Sequence, residues 1–110
     1  MPRSILVLLC AAGIAGTVAG IARAAGRHVI GQKNKAFSKA EITIKPGDTI
    51  LFKNDDAVTH NVFSSSSANK FNVKAQAPGS TSPVTFPTEG IVEVRCAIHP
   101  RMKLIVHVKK

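Results

Sequence analysis

Near its start the chain has a run of eighteen residues that carry no charge, ILVLLCAAGIAGTVAGIA from Ile5 to Ala22. Arg3 and Ser4 precede this run, which is rich in Ala and Gly. It ends on Ala22-Arg23-Ala24, with small residues at the two positions a signal peptidase reads. The expectation is a cleaved secretory signal over residues 1–24. An uncleaved membrane helix is the alternative, because the run stands at the lower limit of length for spanning a bilayer. A lipoprotein reading of Cys10 is disfavoured by bulky Leu9 before it.

Beyond residue 24 the period changes to two. KFNVKA (Lys70 to Ala75) puts Phe71 and Val73 on one face, and KLIVHVKK (Lys103 to Lys110) does the same for Leu104, Val106 and Val108. IVEVRC (Ile91 to Cys96) sets Ile91 opposite Val92 and Val94. HVIGQ (His28 to Gln32), AEITI (Ala40 to Ile44), TILFKN (Thr49 to Asn54), HNVFS (His60 to Ser64) and VTF (Val84 to Phe86) read as further short extended pieces. Between them stand turn signals: KPGD, DDA, the polar SSSANK, QAPGSTSP and PTEG. No window after the signal predicts a helix. Six to eight short strands with turns every eight to twelve residues predict one all-β domain over residues 25–110, a sandwich or barrel.

Composition alters this picture in two ways. Once residues 1–24 are removed, Cys96 is the only cysteine, so no internal disulfide can form and the thiol needs another use. Loss of Arg3 and Arg23 leaves 13 Lys/Arg against 6 Asp/Glu, a formal charge of +7. Export argues against nucleic acid as the partner of that charge. So does the absence of Trp and Tyr, which leaves few platforms for stacking bases. An acidic redox protein fits better, met by a monomer with no stable membrane insertion after cleavage.

The chemistry concentrates in CAIHPRM, Cys96 to Met102, which holds a thiol, an imidazole and a thioether. Cys96 ends a β-branched strand, and a tight loop can aim all three side chains inward. Structural zinc sites rarely use Met, and calcium and magnesium take oxygen. Soft sulfur favours copper, and a plane of two histidines and a cysteine with a weak axial Met is the blue-copper arrangement. The second histidine must come from His28, His60 or His107. His107 reads as a strand histidine and His28 sits near the expected new N-terminus. His60 lies at the mouth of a strand after the NDD turn and is favoured.

Taken in order, KPGDTILFKN (Lys45 to Asn54), HNV (His60 to Val62) and CAIHPRM resemble the cupredoxins, the small blue copper proteins, and most closely their amicyanin/plastocyanin-like branch. The resemblance covers Val29 to Lys109. The Cys-x2-His-x2-Met spacing is similar to the short ligand loop of amicyanin. This resemblance implies a Greek-key β-sandwich and one copper ion held in plane by His60, Cys96 and His99, with Met102 as the axial ligand. It also implies that Asn61 ties the two ligand loops together, with a backbone N–H near the sulfur. The implied role is a periplasmic carrier of single electrons through Cu(II)/Cu(I), not an enzyme. Copper binding or delivery without a redox relay is the alternative. Thr59, Ile98, Arg101 and Leu104 depart from residues common in the family. Arg101 bears on the partner, because it places a charge beside the apolar patch through which relatives dock.

Overall fold

The computed structural model describes residues 24–110. The expected signal lies outside the described residues except for Ala24. Nine strands form: β1 (Arg27–Lys33), β2 (Ala36–Phe37), β3 (Glu41–Ile44), β4 (Asp48–Asn54), β5 (His60–Ser64), β6 (Phe71–Gln76), β7 (Thr81–Phe86), β8 (Gly90–Arg95) and β9 (Lys103–Val108). They build two sheets, ordered β2-β1-β4-β7 and β3-β9-β8-β5-β6. The β1–β4 and β3–β9 pairs are parallel and the remaining pairs antiparallel, which makes a mixed Greek-key sandwich. Among the described residues no helix is long and apolar enough to cross a membrane.

The two-residue period decides what fills the space between the sheets. Leu104, Val106 and Val108 of β9 face inward, as do Val92 and Val94 of β8, while Ile91 is 66% exposed. From the other sheet Ile30, Ile50, Phe52 and Phe86 meet them. Four phenylalanines run through this layer. Phe52 contacts Phe37 edge-on and stacks on Phe71, which meets Phe86 edge-on, with ring centroids 6.2, 6.3 and 5.7 Å apart in that order.

Two elements differ from the sequence expectation of six to eight strands. β2 has only two residues and no hydrophobic period to reveal it. The turn that leads into it, Asn34-Lys35, holds φ of 54° and 56°, the pair of left-handed residues that a tight hairpin turn requires. Glycine usually occupies the second of these positions, and Lys35 conceals the signal. Lys35→Gly is therefore expected to stabilise the fold by up to about 1 kcal/mol, relieved backbone strain outweighing the added freedom of the unfolded chain. Thermal melting of the two proteins checks it. The second difference is Thr81–Pro83, which reads as turn but is strand. Pro83 pairs with Leu51 at the rim of its sheet, where a missing N–H is tolerated because no further strand needs it.

Candidate metal centre

His60 opens β5, and its side chain is wholly buried. Cys96 follows the last residue of β8 and is buried as well. The loop from Cys96 to Met102 is folded back by two bonds. The Met102 N–H donates to the His99 carbonyl at 3.0 Å, and Arg95 Nη2 donates to the Pro100 carbonyl at 2.7 Å. This returns His99 to the cysteine three residues before it. Cys96 Sγ lies 3.8 Å from His60 Nδ1 and 3.9 Å from His99 Nδ1, and the two Nδ1 atoms are 3.1 Å apart. Among the described residues this is the one cluster of three such side chains, with its ligand atoms all within 4.8 Å of one another.

The spacing fits one first-row ion. With metal–sulfur and metal–nitrogen bonds of about 2.3 and 2.0 Å at about 120°, sulfur and nitrogen would stand about 3.7 Å apart. The donors are one thiol and two imidazoles without a carboxylate, a set suited to copper. Met102 is 2% exposed and lies at the far end of the same loop, its side chain turned into the protein. The other two histidines are elsewhere. His28 of β1 pairs with Asp48 at 2.9 Å, and His107 of β9 with Glu41 at 2.8 Å.

Asn61 joins the two halves of the centre. Its backbone N–H donates to Cys96 Sγ at 3.3 Å, and its side-chain Oδ1 accepts from the Ala97 N–H at 3.1 Å. Its Nδ2 donates to Asn72 Oδ1 at 2.9 Å and to the Lys74 carbonyl at 3.0 Å. The latter two partners lie in a bulge, where the register between β5 and β6 shifts and Lys74 takes a φ of 66°. The bulge bends β6 so that its backbone meets the amide of Asn61, which in turn fixes the start of the ligand loop.

One residue of the centre is not evident from the sequence. Asp56, in the turn before β5, accepts from His60 Nε2 at 2.8 Å and from the Lys35 N–H at 2.9 Å, both on Oδ2. A carboxylate four residues ahead of a candidate ligand histidine is the only signal, and in DDA it reads as a strand break. The Lys35 N–H first, and then the His60 hydrogen bond, hold its carboxyl down from 3.8 to about 2. A depressed carboxyl stabilises the fold fully above the unfolded value and ceases to do so as the pH falls through the folded one. Melting temperature should therefore drop between about pH 4 and pH 2, and less steeply in Asp56→Asn, as thermal melts across that range would show.

The family model for copper binding proteins of the plastocyanin/azurin family matches residues 25–109. The chain belongs to that family. Among solved structures of its fold is a purple cupredoxin from Nitrosopumilus maritimus, 26% identical with a TM-score of 0.67, covering 74% of this chain and 99% of its own. Amicyanin from Paracoccus versutus is 26% identical with a TM-score of 0.69, covering 83% and 87%. The copper-containing nitrite reductase of Thermus scotoductus shares the fold at 22% identity and a TM-score of 0.72, over 83% of this chain and 24% of its own. No curated protein sequence matches the chain. Of the four departures from common cupredoxin residues, Leu104 is core, at 0% exposure. Ile98 and Arg101 are exposed beside His99. They line one side of a groove of about 540 Å³ whose other side is Lys35 and Ala36.

Proposed function

We propose that the chain is an exported carrier of single electrons, in which His60, Cys96 and His99 would hold one copper ion with Met102 as a fourth donor. The convergence of three soft or borderline donors from two loops carries this reading. Copper, when bound there, supplies a one-electron Cu(II)/Cu(I) couple. Cys96 would bind the metal as the thiolate, with the Asn61 N–H donating to its sulfur. Burial of His60, Cys96 and Met102 keeps water from the centre. Hydrogen bonds at Asn61 and Met102 hold the loop before any metal arrives, so little must rearrange when the charge changes.

His99 is the half-buried member of the set and faces the groove, which makes it the port for the electron. Lys35 and Arg101 flank that port. With a formal charge of +7 beyond residue 24, this face suits a redox protein with an acidic docking surface, and the carrier meets it as a monomer. The periplasm is the compartment that best combines an export signal with a lone thiol kept safe by metal ligation. No carboxylate stands among these four donors, and with Met102 as the fourth no open position of the hydrolytic kind would be left, so the role is transfer and not turnover.

Loading the protein with Cu(II) and recording its visible spectrum and voltammogram tests the proposal. An intense thiolate-to-copper absorption with a reversible wave is expected. A colourless protein that holds only Cu(I) would overturn the relay and favour copper delivery.

A further inference from the structure

We propose that Asp56 is a positioning residue of the copper centre, whose carboxylate holds the His60 ring with Nδ1 free for the metal and whose charge favours Cu(II) over Cu(I). The proposal rests on the copper reading above. A neutral imidazole carries one N–H. Ionised Asp56 can only accept, so its Oδ2 at 2.8 Å from His60 Nε2 places that proton on Nε2. The lone pair is then on Nδ1, the atom that points at Cys96 Sγ and His99 Nδ1.

The carboxylate is held as firmly as the ring. Oδ2 also accepts the N–H of Lys35, so the β1–β2 turn fixes it from a distant part of the chain. The backbone N–H of Asp56 donates to Asn54 Oδ1 at 2.9 Å. Asn54 is fully buried, and its Nδ2 donates to the carbonyls of Val58 and Gln76, so the whole turn ahead of His60 is braced against β6. The Asp56 side chain is 14% exposed, which leaves its charge poorly screened. A negative group hydrogen-bonded to a ligand imidazole raises that ligand's basicity. The more highly charged state of the metal gains more from it.

Two variants separate position from charge. Asp56→Asn keeps one oxygen able to accept both donors but loses the charge, whereas Asp56→Ala loses both hydrogen bonds. Long-range proton–nitrogen NMR of the metal-free protein, with the ring neutral, reads the tautomer. Nε2–H is expected in the parent and in Asp56→Asn, and a mixture in Asp56→Ala. Competition titrations read the affinities for Cu(II) and Cu(I). In Asp56→Asn the preference for Cu(II) over Cu(I) should fall about tenfold, a rise of about 59 mV in potential for one electron. In Asp56→Ala both affinities should fall roughly 10–100-fold. An Nδ1–H tautomer in the metal-free parent overturns the positional half, and an unchanged Cu(II)/Cu(I) preference in Asp56→Asn overturns the electrostatic half. A parent that binds no copper overturns the electrostatic half together with the metal reading. The tautomer would still decide whether Asp56 orients His60.

Discussion

Cys96→Ser abolishes the visible absorption of the copper-loaded protein and its reversible one-electron wave. The absorption requires a thiolate bonded to Cu(II), and serine cannot supply it, because its hydroxyl does not ionise at neutral pH and its oxygen is a harder donor. Loss of colour should be complete. The fold survives, since a buried hydroxyl in place of the thiol costs about 1–3 kcal/mol, and the Asn61 N–H that faced the sulfur remains at hand as a donor. Circular dichroism of the metal-free variant checks the fold, and the copper spectrum checks the ligand. Colour retained in the variant would overturn Cys96 as its source, because Met102, the remaining sulfur among the described residues, is a thioether and supplies no thiolate.

Asn61→Ala should produce the largest loss of stability near the centre. Its side chain is one acceptor and two donors, and all three are in use between the ligand loop, Asn72 and Lys74. Alanine leaves the Ala97 N–H and the Lys74 carbonyl without that partner in a part-buried site. The cost is about 2–3 kcal/mol. For a domain of this size that is a fall in melting temperature of roughly 10–20 °C. Asn61→Asp distinguishes the two halves of the link. It keeps an oxygen for Ala97 but turns the second oxygen towards Asn72 Oδ1 and the Lys74 carbonyl, so its loss reports repulsion at the bulge. Differential scanning calorimetry of the metal-free proteins reads both.

The inward face of the sandwich was legible wherever one side of a strand is apolar and the other wet. Leu104, Val106 and Val108 are buried in the order their spacing predicts, and so are Val92 and Val94. What escaped was set by backbone conformation and not by hydrophobicity. β2 exists because Asn34 and Lys35 accept left-handed angles, and β7 continues through Pro83 because it lies at a rim. The bulge at Lys74 leaves Phe71 and Val73 in the pattern and so leaves no trace in it. At the centre, His60 could be chosen because a strand mouth follows a turn, and the Asn61 N–H near sulfur followed from the resemblance. Asp56 could not be found in this way. Its importance depends on the Lys35 N–H, twenty-one residues earlier, meeting it across the end of the sandwich.

The rims of the two sheets have one more consequence. Unpaired strand edges invite a second chain to add on, and each of the four outer strands resists this by a different means. β2 is two residues long and β3 four, too short to template a partner. β7 carries Pro83, and β6 carries the kink at Lys74 with a lysine at its crest. A carrier that must diffuse between partners is thus guarded against edge-to-edge aggregation at all four outer strands of the described sheets, and only β2, through Ala36, shares the groove beside His99 with that protection.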